Sequence, residues 1–442
     1  MTRHTPMFAR PTAGGHPAAL GSALMRTHTT MLTAAAAAVL AAVAAAPASA
    51  APPAAPIVKS SATLPATPLS DVQKQIADDR GVNLGGIGSG IFPMGGNEYW
   101  TVTDRGPNGE VKVDGSDRRT FVVPEFTPAL VRIRVVGDRI SVLETLPLTT
   151  PAGAPVTGLS NLPRDEKPYA ADAATPLPLN PNGLDTEGVV RTPDGHFWLV
   201  DEYGPSIVEA DAKGRVVARH VPAGLEDDYA AAGVAYPVTG SLPAGLADRK
   251  ANRGFEDIAL LPDGHTVAVA LQSSLVVSGD KDRTVTELLT FDTATRATVH
   301  EFGYQFDDPS TFAAGTRGRD LKISALIPLS QTRVLVEERT DTEARFHAVD
   351  LDPGRALITS ADKTLFANLA GVAGVPGKIE GAAMHGNRLI LISDNDFGFD
   401  GTRAYAAGEK VADSGIETVL VEVKIDDGGG SSDLPFPVTP LS

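Results

Sequence analysis

One pattern constrains this chain more than any other. A strand–turn–strand unit with acids at its ends recurs in order along the sequence. Its clearest copy is Asn182 to Ser206, NGLDTEGVVRTPDGHFWLVDEYGPS. Asp185 and Glu187 precede an apolar run, Thr192-Pro193-Asp194-Gly195 form a turn, and a second apolar run ends at Asp201-Glu202-Tyr203-Gly204. Pro193 presets φ, Asp194 bonds its own backbone and Gly195 takes positive φ, so the turn is tight. Such a turn sets the start of the first strand beside the end of the second. Glu187 and Glu202 are therefore expected to be neighbours.

Four further stretches repeat the unit. Gly85 to Pro107 ends at Asp104 and Arg105. Gly254 to Ser274 carries Glu256 and ends at Gln272. Lys322 to Asp341 carries Ser324 and ends at Glu337, Glu338 and Arg339. Lys378 to Gly398 carries Glu380 and ends at Asp394. With Asp104, Glu202, Gln272, Glu338 and Asp394 as equivalent second-strand ends, the spacings are 98, 70, 66 and 56. Ordered repetition of a β unit at such periods marks a propeller. Outer hairpins with period-two alternation, such as Ala129 to Leu148, complete four-stranded blades. Five blades are counted directly, and the 98-residue gap leaves room for a degenerate sixth. The fold is read as an all-β propeller of five to six four-stranded blades. The last unit shows one outer strand, Thr418 to Asp426, so the N-terminal segment is expected to supply its partner and close the ring.

Residues 1–50 hold Arg3, Arg10 and Arg26, no acid, an Ala-rich apolar run and Ala48-Ser49-Ala50. This reads as a secretory signal cleaved after Ala50, with Met1 and Met25 both fitting as the start. Residues 51–80 read as a tether and closing strand, 81–426 as the propeller, and 427–442 as a flexible tail. The formal charge of −16 becomes more negative once the three arginines leave. That argues against nucleic acid and anionic membranes as partners. The secreted chain is expected to be a monomer. The absence of cysteine excludes disulfides, Cys-type zinc sites and thiol nucleophiles. Ser89 lies in IGSG, which lacks the first glycine of a nucleophile elbow, and no His-rich zinc motif occurs.

In a propeller the first strand of each blade lines the central channel. Its start and the end of the second strand face one rim. Glu187, Glu202, Glu256, Glu338, Glu380 and Asp394 are therefore expected to converge there as ligands of a divalent cation. Calcium suits such carboxylates, since it takes several oxygens in flexible geometry. Glu187, Glu202 and Glu380 are the candidate catalytic acids. Arg105, Tyr203, Arg339 and Lys378 are the candidates for holding substrate. The plainer alternative is that each acid ties down neighbouring loops. Two long insertions, Thr150 to Pro181 and Ala223 to Arg253, are expected to wall the same rim.

Taken together, TVTDRGPNG, DTEG…FWLVDEYGPSI, NRGFEDIAL…ALQSSL, KIS…VLVEERTD and KIEG…LISDNDFG resemble the secreted bacterial phytase-like family, described as esterase-like activity of phytase. The resemblance spans roughly residues 80 to 425. It implies a propeller and hydrolysis of a small-molecule ester or phosphoester. Two other readings stay open. One is a non-enzymatic propeller that binds carbohydrate, peptide or cell wall. The other is a lactonase-like metal enzyme resembling the gluconolactonase propellers.

Overall fold

The computed structural model describes residues 54–426. The expected signal segment, residues 1–50, and the expected tail, residues 427–442, lie outside the described residues. The protein is all-β, built from antiparallel strand groups that follow one another along the chain. The first group is Gly90–Gly95, Glu98–Val102, Ala129–Val136 and Arg139–Pro147. The second is Thr186–Arg191, Phe197–Asp201, Ser206–Ala210 and Val216–Pro222. The third is Phe255–Leu260, Thr266–Leu271, Val285–Asp292 and Ala297–Gln305. The fourth is Lys322–Ser330, Arg333–Arg339, Ala344–Asp350 and Lys363–Asn368. The last is Ile379–His385, Arg388–Ser393, Val419–Asp426 and, from the other end of the chain, Ala54–Thr63. Ala54–Thr63 runs antiparallel to Val419–Asp426, from Ala54 opposite Asp426 to Thr63 opposite Val419. Thr63 also pairs with Arg139 of the first group, so one nearly closed sheet joins the two ends.

The first strands of these groups touch one another in cyclic order: first with second, second with third, third with fourth, fourth with last, and last with first. This propeller-like arrangement explains the apolar patterning. A sheet covered on both faces needs apolar residues at consecutive positions, and alternate ones face opposite neighbours. Phe197 and Leu199 pack with Trp100 and Leu130 of the first group. Trp198 and Val200 pack with Ile258 and Val267 of the third. Ala268 and Leu288 meet Val334 and Val336, and Leu335 meets Leu389 and Val421. Tyr99 and Val131 meet Ile390 and Ile392. The core is thus divided into layers between neighbouring groups.

The chain leaves the first group twice, between Val102 and Ala129 and again after Pro147. It forms the hairpin Asn108–Val113 and Ser116–Phe121, which Pro168–Ala170 joins in parallel. The second insertion carries the helix Glu226–Ala232 and the strand Val238–Leu242, which adds to the edge of the second group beside Val216–Pro222.

Close packing around the axis depends on glycine. A Cβ on Gly188 would lie 2.6 Å from Asp257 Oδ1 and 2.8 Å from Asp257 Cα. A Cβ on Gly90 would lie 2.9 Å from Glu187 O and from Gly188 Cα. Adjacent first strands therefore pass backbone to backbone. Gly188→Ala should cost roughly 1–3 kcal/mol through forced separation of two strands. Gly245→Ala, where a Cβ meets nothing within 4 Å, should be neutral or slightly stabilising. Denaturant unfolding of both variants checks this; equal midpoints would contradict it.

Candidate functional site at the acidic axis

Four of the first strands share one irregularity. In the second group Thr186 pairs with Asp201, but the register slips by one before Val189 meets Leu199. The same slip separates Phe255–Leu271 from Asp257–Ala270, Ile323–Glu338 from Leu326–Val336, and Ile379–Ser393 from Gly381–Ile392. A β-bulge leaves one extra residue unpaired and re-aims its side chain. The bulges fall at Glu187, Glu256, Ser324 and Glu380. The extra residue in each strand is the acid, or the serine, that the sequence places at the rim. The bulge in the fourth group also frees the Leu326 N–H, which Asp257 Oδ2 accepts at 2.7 Å.

Three cations are set among these acids, and each is engaged. Arg105 Nη2 lies 2.9 Å from Asp185 Oδ2 and 3.3 Å from Glu202 Oε2, and its Nη1 donates to Glu166 Oε2 at 3.2 Å. Its backbone N–H donates to Asp185 Oδ1 at 3.0 Å, and Nη2 also reaches Asn252 Oδ1. Arg339 Nη2 bonds Glu380 Oε1 at 2.8 Å and lies 3.8 Å from Glu256 Oε1, while its Nε donates to Ser324 Oγ at 2.6 Å. Lys378 Nζ donates to Asp394 Oδ2 at 2.7 Å and to Asp396, with Glu380 Oε1 at 3.8 Å. Tyr203 is buried under Arg105, with the guanidinium 5.5 Å from its ring centroid and its hydroxyl donating to Gly158 O at 2.6 Å.

Glu187 differs. Among the described residues no donor or basic group pairs with its carboxylate. Burial holds its pKa well above the ordinary value, and Asp185, Glu256, Glu202 and Glu380 push it further. Burial lifts Asp185 to about 8, against the pull of Arg105. It lifts Glu256 to about 8, with Glu202 and Glu380 adding to the rise. Asp394 reaches about 7 through burial, although Lys378 lowers it. The acids outnumber the cations in a space that water screens poorly. Oxygens of Asp185, Glu187 and Glu202 all lie within 4.8 Å of one another. Two buried oxygens there lack an aligned hydrogen-bond donor: Glu202 Oε1, and Asp185 Oδ2 despite its contact with Arg105.

Glu338 does not join this set. The register pairs Ile323 with Glu338 and Lys322 with Arg339. The residue equivalent to Glu202, Gln272 and Asp394 is therefore Arg339. Glu338 corresponds to Asp201, and like Asp201, which meets Arg219, it is buried against a base. It accepts from Tyr304 Oη at 2.7 Å, from the Asp307 N–H at 2.9 Å and from Lys363 Nζ. Asp307, Glu338 and His347 form a second group with metal-ligand spacing, but the Lys363 ammonium sits there already, 2.6 Å from Asp307 Oδ1. A one-residue slip moves a side chain to the opposite face of a strand, and that slip separates the sequence reading from the structure here.

Sequence reasoning omitted several participants. Glu166 and Asn252 come from the two long insertions, and both reach Arg105. Asp165 and Arg249 pair the insertions to each other. Glu337, adjacent to Glu338, is fully buried with both oxygens unpartnered. Its signal was present in the Glu337-Glu338-Arg339 triplet, but nothing local tells which acid faces the axis.

The match to a family model is decisive about kinship. Residues 82–397 match the phytase-like model, described as esterase-like activity of phytase. The chain belongs to this family. This phytase-like chain is 27% identical over 243 residues to an uncharacterized secreted protein of Arthroderma benhamiae; the match spans 46% of this chain and 47% of that relative. Solved structures similar to it include a luciferin-regenerating enzyme, at 10% identity over 77% of this chain and 92% of that one, with a TM-score of 0.34. Another is a gluconolactonase from Xanthomonas campestris, at 9% identity over 84% and 98%, with a TM-score of 0.31. Scores this low carry no functional argument.

The buried acids have a measurable consequence. Glu337 is raised from 4.5 to about 8, first by burial. The folded state holds its proton up to about pH 8, whereas the unfolded chain releases it near 4.5. Its cost is absent below about pH 4.5 and grows as pH rises toward 8. Glu337→Gln should therefore gain thermal midpoint over the parent progressively between pH 5 and pH 8.5. A constant difference across that range would contradict the assignment.

Proposed function

We propose that this phytase-like protein is a secreted five-bladed propeller that hydrolyses an ester or phosphoester at its acidic axial mouth with the help of a divalent cation, best calcium. The observation that carries the reading is the unpaired Glu187. It projects from a bulge among four other carboxylates, two of which keep unpartnered oxygens toward buried space. An all-oxygen, all-carboxylate donor set fits a hard cation. Asp185, Glu187 and Glu202 would hold it, with Glu380 and Asp394 on the same rim. A cation bound there polarises the ester and lowers the pKa of an adjacent water.

The chain's own residues divide the remaining work. Glu380, held by Arg339 Nη2 at 2.8 Å, takes the proton of the attacking water. Glu256, which burial keeps protonated near neutrality, returns one to the leaving oxygen. Arg105 and Arg339 hold the carboxylates in place, and each keeps one unpartnered donor, Nε and Nη1, for an oxyanion of the substrate. Lys378 sits between Asp394 and Glu380 and adds positive charge on the same rim. Glu338, engaged by Lys363, takes no part.

The test is hydrolysis of a nitrophenyl ester and a nitrophenyl phosphate, with calcium and with chelator. Turnover of one or both should require the cation. Glu187→Gln combined with Glu380→Gln should lower it by at least about a hundredfold. Full activity in that double variant would remove this site from consideration.

A further inference from the structure

Arg105, Arg339 and Lys378 are each answered by buried carboxylates, yet a cluster of cations beside the mouth has only one, exposed, carboxylate partner. Arg253 precedes the strand Phe255–Leu260, and its Nη1 donates to Gln272 Oε1. Gln272 Nε2 in turn donates to Glu256 Oε2, so a single side chain links Arg253 to the axial acids. Lys250 Nζ donates to Ser274 Oγ at 3.1 Å. Among the described residues neither Lys250 nor Arg253 has a carboxylate within ion-pair distance. Asp282 and Asp280 act on Lys250 only from farther away, and Asp282 pairs with Arg319 at 2.8 Å. Lys322 opens the strand that carries Ser324. Its one acidic partner, Asp341 at 3.0 Å, is 83% exposed, and such a pair is screened by solvent.

The segment Gln272 to Ser274 brings these three cations together: Arg253 bonds Gln272, Lys250 bonds Ser274, and the Ile323 N–H next to Lys322 donates to Gln272 O at 2.8 Å. Lys250 is pushed down by burial and then by Arg253. Lys322 is pushed down by burial and then by Arg339 and Arg253. Between Gln272 and Ser274 the Ser273 hydroxyl is buried and without a partner. In a chain with an excess of sixteen negative charges, a cationic cluster next to an acidic centre whose one ion-pair partner is the exposed Asp341 needs a reason. Guanidinium and ammonium groups that lack internal acids suit an oxyanion, which returns charge-assisted hydrogen bonds.

We propose that Lys250, Arg253 and Lys322 form an oxyanion-binding subsite beside the acidic mouth and hold a carboxylate or phosphate group of the substrate. The hydrolase would then prefer esters that carry a second negative charge away from the bond that is cut. This inference rests on the hydrolase reading for its substrate, but its binding arm is independent of turnover.

The experiment measures the thermal midpoint of the whole chain in chelator, titrated with inorganic phosphate, with acetate, and with chloride at matched ionic strength. Phosphate, acetate or both should raise the midpoint beyond chloride, and which of them does so names the group preferred. Lys250→Gln with Arg253→Gln should need at least about tenfold more anion for the same shift, as expected for loss of a charge-assisted bond. Lys250→Arg should retain the response. Lys250→Gln alone gives the same reading if the double variant folds poorly. No shift beyond chloride, or an equal shift in the Gln variants, would overturn the subsite. In a second arm, the ratio of kcat/KM for a carboxylate-bearing nitrophenyl ester to that for a neutral one should fall about tenfold in the double variant. An unchanged ratio also counts against the subsite. If neither ester is turned over, the hydrolase reading fails and the anion titration alone decides this inference.

Discussion

Burial of like charge at the axis is the constraint to which the rest of the structure answers. Glu187, Glu256 and Glu380 are each the extra residue of a bulge. Three strands from separate groups thus aim acids into one poorly hydrated space. That arrangement is costly by itself. Arg105 and Arg339 lower the cost by bridging groups: one spans Asp185, Glu202 and Glu166, the other Glu380, Glu256 and Ser324. The remainder is carried as raised proton affinity at Asp185, Glu187, Glu256 and Asp394.

The surrounding fold serves the same centre. Glycines at 90, 188 and 381 let neighbouring first strands approach backbone to backbone, which brings the bulged acids together. The apolar layers between groups hold that approach rigid. The two insertions then cross the rim, and the Asp165–Arg249 pair locks them so that Glu166 and Asn252 meet Arg105. The outcome is an acidic centre with a basic border and the two insertions drawn over both.

Much of this was legible before any coordinates. The TPDG and LPDG turns fix hairpins through local chemistry alone, and hairpin geometry then places Glu187 beside Glu202. The all-β, propeller-like character and the family followed from those units. Glu338 was illegible for a physical reason. In Glu337-Glu338-Arg339 all three positions are polar, so alternation gives no phase, and the bulge that sets the phase has no sequence mark. Glu166 and Asn252 were illegible because irregular loops carry no period; Glu166 meets Arg105 across 61 residues. The cations were read as substrate holders, yet internal acids engage most of their donors.

The central claim is that the protons on these buried carboxyls stand in for a metal ion. Calorimetric titration of calcium into chelator-treated protein at pH 7, repeated in buffers of different ionisation enthalpy, tests it most directly. The account predicts saturable binding that releases protons to the buffer and is lost in Glu187→Gln, since acids held protonated must ionise to become ligands. Binding without proton release, or binding that survives Glu187→Gln, would contradict it.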